Sequence, residues 1–126
     1  MLFRSMETLW LDILGIEKKY RQKIINISGN KYKVDALVEK TIYEFYGDYW
    51  HGNPAIYPEP TPLQQEKQRK DLYANKKAIE YGYNIHRVWQ SQSIEYLNRL
   101  TKEKENGPEA IKNFIDQENR KLQTSL

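Results

Sequence analysis

Val34-Asp35-Ala36-Leu37-Val38-Glu39-Lys40-Thr41-Ile42-Tyr43-Glu44-Phe45-Tyr46-Gly47-Asp48-Tyr49-Trp50-His51 is the stretch from which the rest of this chain is read. Tyr32, Val34, Ala36 and Val38 alternate with Lys33, Asp35 and Leu37, the two-residue period of a half-buried strand. Residues 41–46 are β-branched and aromatic enough for a second strand. An even-length turn centred on Glu39-Lys40 sets Val38 opposite Thr41, Ala36 opposite Tyr43 and Asp35 opposite Glu44. Like charges directly opposite on neighbouring strands destabilise the pair. A divalent cation between them reverses the sign, because hard cations take oxygen ligands and dominate the local field. The alternative leaves both carboxylates on a solvated strand face, spaced by lysines such as Lys33.

Outward from this hairpin, residues 3–20 read as an amphipathic helix. Met6, Leu9, Trp10, Ile13, Ile16 and Tyr20 share one face, Ser5 is the expected N-cap, and Glu7 falls in the first turn. Residues 23–28 form a strand closed by a Gly29-Asn30 turn. Residues 47–62 carry four of the five prolines and read as an irregular loop, long enough to be functional or mobile. A helix over 63–81 ends at Gly82 as its C′ residue. Residues 83–89 make a fourth strand, and helices over 93–105 and 108–122 are separated by Asn106-Gly107, with Pro108 suited to a first turn. The order predicts an α/β (α+β) fold: a central mixed sheet flanked by helices, with an αβββαβ core over residues 1–90 and a helical extension over 91–126.

Composition narrows the classes. With 126 residues the chain is one domain, and its charged fraction of 29% and mean hydropathy of −0.88 argue against membrane insertion. No secretory signal is expected from Met1-Leu2-Phe3-Arg4. The absence of cysteine excludes disulfides and thiolate-held zinc, and fits a reducing compartment. A net charge of +3 permits a nucleic-acid partner without demanding one. Ten tyrosines and three tryptophans supply rings that stack on bases, or that simply fill a core.

Several side chains in this pattern suit phosphodiester chemistry. Asp35 and Glu44 on adjacent strands would hold a metal more rigidly than loop residues could. His51, leaving the same strand end, is a candidate general acid or base, since imidazole titrates near neutrality. His86, inside the last strand, reads as structural. Tyr49-Trp50 are candidate duplex wedges or a lid packed on the sheet end. Lys67, Arg69 and Lys70 on the helix over 63–81 are candidate phosphate contacts, or a solvated face balanced by Glu66 and Asp71. Asp71 could turn toward the carboxylates, and Glu7 has the same two readings.

The set Phe45-Tyr46-Gly47-Asp48-Tyr49-Trp50-His51, Arg69-Lys70-Asp71 and Gly82-Tyr83-Asn84-Ile85-His86-Arg87-Val88-Trp89 resembles the very-short-patch-repair endonucleases, a branch of the PD-(D/E)XK nuclease superfamily. Within that branch the chain is most similar to phage and intron-encoded homing endonucleases with a Glu, Asp, x, His, Asp catalytic set. The resemblance implies Glu7, Asp35, His51 and Asp71 as catalytic residues. It implies metal bound by Asp35 together with Glu44 or the backbone carbonyl of Phe45. Tyr49, Trp50, Lys67, Arg69 and Lys70 would contact DNA. The implied activity is Mg²⁺-dependent cleavage of double-stranded DNA, with Mn²⁺ as a substitute, in the cytoplasm of a bacterial or phage-infected cell, at the nucleoid. Asp48 stands where the repair enzymes have a zinc-binding cysteine, so no zinc is expected. Tyr46 takes the place of the lysine of Glu-x-Lys, and Gln90 that of a glutamate. The alternatives are a mismatch-nicking repair endonuclease and a catalytically inactive DNA-binding module. Reading a long target would require a separate recognition domain or a homodimer, whose interface could use Ile94, Leu97, Leu100, Ile111, Phe114 and Ile115. That same apolar face could instead pack on the chain's own sheet.

Overall fold

The structure, a computed structural model, describes residues 2–125, and the side chains at 2–5, 94 and 118–125 lie outside the description. Four helices surround a four-stranded mixed sheet of order β1-β2-β3-β4, as an α+β fold. The elements are α1 (Leu2–Ile13), β1 (Arg21–Ile27), β2 (Asn30–Val38), β3 (Thr41–Tyr46), α2 (Pro62–Glu80), β4 (Asn84–Trp89), α3 (Ser93–Glu105) and α4 (Pro108–Ser125).

The two hairpins follow from their turns. Ser28 and Gly29 both take positive φ, 53° and 82°, the type I′ pattern whose twist matches that of paired strands. Glu39-Lys40 joins β2 to β3 with Val38 opposite Thr41 and Ala36 opposite Tyr43, the register expected from the sequence. β4 returns by way of α2 and pairs parallel to β3. Both strands of this β3–β4 pair are covered on both faces, as a parallel pair requires. One face carries Tyr43, Phe45 and Val88 against Trp10, Leu97, Leu100 and Phe114 of the other three helices. The opposite face carries Ile42 and Ile85 against Ala78 of α2.

The expected alternation along β2 fails at one point. Val34 packs in the α2-side core, whereas Ala36, two residues on, packs in the opposite one. The switch lies at Asp35, whose ladder partner would be Gln22; the pairing jumps from Arg21–Ala36 to Lys23–Val34, and Gln22 has φ of 54°. Because both strands are disturbed together, the register survives while the side-chain faces invert. Val34 and Asp35 therefore both face α2, and Asp35 is carried off the solvated strand face.

Other boundaries also differ. The first helix stops at Ile13, ending at Gly15 with φ of 76°; Ile16 lies in the following turn and Tyr20 in a short 3-10 turn. Ser5 lies inside α1 rather than at its cap, its side chain outside the described residues, and Glu7 sits beyond the first turn. Pro62 belongs to α2 as its first residue behind Thr61, which forms a reciprocal capping box with Gln64. Gly82 closes α2 at φ of 89°, with Tyr83 N–H donating to Ala78 and Gly82 N–H to Ile79, a Schellman end. Leu97, Leu100 and Phe114 are buried against the sheet. The apolar face considered as an interface is thus largely enclosed by the chain itself, while Ile94's side chain is outside the described residues. No helix among the described residues is long and apolar enough to cross a membrane.

Candidate active site

The inverted segment of β2 places Asp35 at the mouth of a cleft of about 510 Å³, walled also by Glu7, Glu44, His51, Lys67 and Asp71. Asp35 Oδ2 accepts the Phe45 N–H at 2.7 Å, so the carboxylate is held by the backbone of the neighbouring strand. Glu7 reaches it from α1 as a second hydrogen-bonding carboxyl. Burial raises the Asp35 pKa, opposed by the Phe45 amide, by Glu7 and by the charges of His51 and Lys33. Glu44 lies deeper: burial, then repulsion from Asp35 and Asp71, pushes its pKa well above the ordinary carboxylate range, against which Lys67 pulls. Asp35 thus disfavours the Glu44 anion, while the ladder pairs of β2 and β3 run from Val38–Thr41 to Ala36–Tyr43 and do not include Asp35 and Glu44.

His51 arrives from the loop. Its Nδ1 lies 2.6 Å from Asp71 Oδ2, and Lys67 Nζ holds the other Asp71 oxygen at 3.1 Å. The imidazole stacks on the Tyr46 ring at 3.8 Å with planes 7° apart. Asn75 donates to the Tyr46 hydroxyl at 3.4 Å. Burial, followed by the charges of Asp71 and Glu44, raises the Tyr46 pKa, so the ring remains a neutral platform.

The loop that presents His51 is built, not slack. Asn53 donates to Asp48 at 2.9 Å and to Ser91 at 3.3 Å, and Ser91 donates to Asp48 at 3.2 Å. Gln90 accepts the Asp48 N–H at 3.4 Å. A neutral and anionic hydrogen-bond cluster thus pins the loop where the resemblance would place a zinc ligand. From α2, Gln64 donates to the Tyr49 carbonyl at 2.9 Å and Gln68 to the Gly52 carbonyl at 2.6 Å.

Of the residues selected from sequence, Glu7, Asp35, Glu44, His51, Lys67 and Asp71 line one cleft, with Trp50 at its wall. Tyr49 and Trp50 are exposed, Trp50 by 72%, and their rings meet edge to face. Arg69 and Lys70 do not line this cleft and share Glu66, at 2.6 and 3.8 Å. The Phe45 side chain is buried on the opposite face, so only its backbone can serve the site. His86 is enclosed against Trp10, Tyr43 and Tyr96, as a structural histidine.

Sequence reasoning missed Tyr46, Asn75, Gln64 and Gln68. For the three on α2 the signal was present: 64, 68, 71 and 75 recur at four- and three-residue spacing, a stripe on one helix face. A search for apolar periodicity overlooks this stripe because its members are glutamine, aspartate and asparagine.

The donor set fits a small divalent cation. Among the described residues no three His, Cys, Asp or Glu side chains already form a grouped ligand set. Mg²⁺ commonly uses only one or two carboxylates and keeps several waters. Asp35 and Glu44 could supply those carboxylates, and a dication between them would offset the burial of both and the repulsion that Asp35 exerts on Glu44. Comparison with protein-family models, curated proteins and solved structures returned no match to this chain.

Proposed function

We propose that the chain is a metal-dependent endonuclease domain that hydrolyses phosphodiester bonds of double-stranded DNA, most like a homing endonuclease. The observation that carries the reading is the convergence of the Asp35–Glu44 carboxylates and the Asp71–His51 dyad on one cleft, supplied by separate elements of the fold. Asp35 and Glu44 would hold Mg²⁺ or Mn²⁺, with the Phe45 carbonyl as a further oxygen. When bound, the metal would neutralise charge building on the phosphate and make water more acidic.

The chain's own groups divide the remaining work. Asp71 binds Nδ1 of His51, which leaves Nε2 to exchange a proton with the attacking water or the leaving oxygen. Stacking on Tyr46 fixes the ring plane. Lys67 holds Asp71 in place and, with Lys31 and Lys33, adds positive charge to a cleft lined by four carboxylates, where Tyr46 has replaced the expected lysine. Tyr49 and Trp50 offer exposed rings to the duplex, and Arg69 and Lys70 offer charge to its backbone from outside the lining of the cleft. Target reading would come from a further domain or a second copy on DNA, which sedimentation with and without duplex would show.

The test is cleavage of supercoiled plasmid with and without Mg²⁺. Metal-dependent nicking or linearisation by the parent, lost in Asp35→Asn, is the expected result. His51→Ala should slow it by about 10²–10⁴-fold, the usual contribution of a positioned acid–base group. Equal cutting by all three proteins would sink the assignment.

A further inference from the structure

The His51–Tyr46 stack borders two cavities. Besides the carboxylate cleft, a second cavity of about 460 Å³ shares His51, Tyr46, Asp71 and Asn75 as walls. Its own lining is different in kind: Tyr57, Pro58, Pro60, Leu72, Trp89 and Arg87. That volume lies within the range of small-molecule sites, about 300–1,000 Å³, and such sites combine apolar walls with few polar groups.

Arg87 distinguishes this cavity from a packing gap. Its guanidinium carbon lies 4.9 Å from the Tyr46 ring centre and 5.6 Å from that of Trp89. Glu44 is its register partner on β3, yet among the described residues no carboxylate pairs with Arg87. Gln68 and Asp71 in the lining are already engaged, Gln68 with Gly52, and Asp71 with His51 and Lys67. The cavity therefore presents one half-buried, unneutralised cation beside aromatic faces. Aromatic rings and arginine planes stack nucleobases, and guanidinium binds phosphate.

Building on the nuclease reading, we propose that this cavity receives one unstacked nucleotide of the DNA strand beside the bond to be cut. Its base lies against the Trp89–Arg87–Tyr46 wall and its phosphate on the Arg87 guanidinium. The prolines of the loop make the receiving surface stiff, which lowers the entropy lost on binding. Trp50, exposed and adjacent to His51, is placed to fill the gap that such a nucleotide leaves in the duplex. Removing a nucleotide from the stack in this way would turn the phosphate on its other side toward the carboxylate cleft, across the shared His51–Tyr46 wall.

The test needs neither metal nor cleavage. With EDTA present, thymidine and adenosine 5′-monophosphates are titrated into the protein, with orthophosphate in parallel, and the Trp89 indole and Arg87 resonances are followed by NMR. Both nucleotides should shift them. Leu72→Trp, which fills the cavity from a half-exposed position, and Arg87→Gln should each weaken binding by about ten-fold, the scale of one lost stack or charged contact. In a second arm, a duplex carrying one unpaired 2-aminopurine should bind more tightly than its fully paired counterpart and show brighter fluorescence, both effects being lost in Leu72→Trp. Asp35→Asn should bind mononucleotide like the parent. Equal shifts by orthophosphate would mark an anion site only and overturn the proposal. So would mononucleotide binding untouched by both cavity variants, or plasmid cleavage by a protein that binds no mononucleotide. Mononucleotide binding that obeys the cavity variants, in a protein that cuts no plasmid, would uphold the cavity and sink the nuclease reading alone.

Discussion

Glu44 carries the most strained electrostatics of any carboxyl group described in the site. Burial and two neighbouring aspartates raise its pKa, and Asp35 is raised with it. A carboxyl whose pKa is higher folded than unfolded binds more protons in the folded state. Its contribution to stability is then complete below the ordinary carboxylate range and lost as pH rises through the folded-state value. Thermal melting of the parent without metal should therefore show stability falling as pH is raised from about 4 toward neutrality, against the common trend of acid destabilisation. Glu44→Gln should flatten that slope and raise the melting midpoint at neutral pH, while cleavage is lost. The same repulsion makes metal stabilising: Mg²⁺ at a hundred times its dissociation constant should add about 2.7 kcal/mol to the parent. Asp35→Asn should abolish that increment. A parent whose midpoint does not respond to Mg²⁺ would remove the carboxylate pair from consideration as a cation site.

At the scale of elements, α2 and the proline-rich loop behave as one unit. The stripe Gln64, Gln68, Asp71, Asn75 grips the loop backbone, the histidine and the Tyr46 platform in turn. Gly52 marks the closest approach. Its φ is 62°, and a Cβ there would lie 2.7 Å from Gln68 Nε2. Gly52→Ala should cost about 1–2 kcal/mol from the left-handed backbone alone. It should lower cleavage by displacing His51 while leaving far-ultraviolet circular dichroism unchanged. Lys67→Met should reduce turnover by about 10²–10³-fold if the ammonium stabilises transition-state charge. An unchanged rate would assign it to holding Asp71 alone. The hairpin register, the two C-terminal helices and the Gly82 stop were all legible in sequence, because turn residues and helix punctuation act locally. The Gln22–Asp35 inversion was not. It needs two distortions on different strands, and neither alternates in a way a single strand can reveal.

For the whole molecule, the question is whether residues 91–126 are an appendage. Leu100 is fully buried with Trp10, Phe45 and Val88 in one cluster, so α3 completes the core beneath the site. Leu100→Ala should destabilise by about 2–5 kcal/mol, a large part of the stability of a domain this size. Ending the chain after Gln90 would expose Tyr43, Phe45 and Val88, and should abolish cooperative melting. A truncated protein that still melted cooperatively and cut DNA would show the core to be independent. By itself the sequence determined the element order, the strand pairing and the candidate acids, because periodicity, turn chemistry and residue type are encoded over a few positions. Only the tertiary structure decided which face Asp35 occupies, that Lys67 serves Asp71, and that Tyr46 and His51 divide two cavities. Those outcomes depend on groups distant along the chain meeting in space, where a buried charge takes whichever partner the packing leaves beside it.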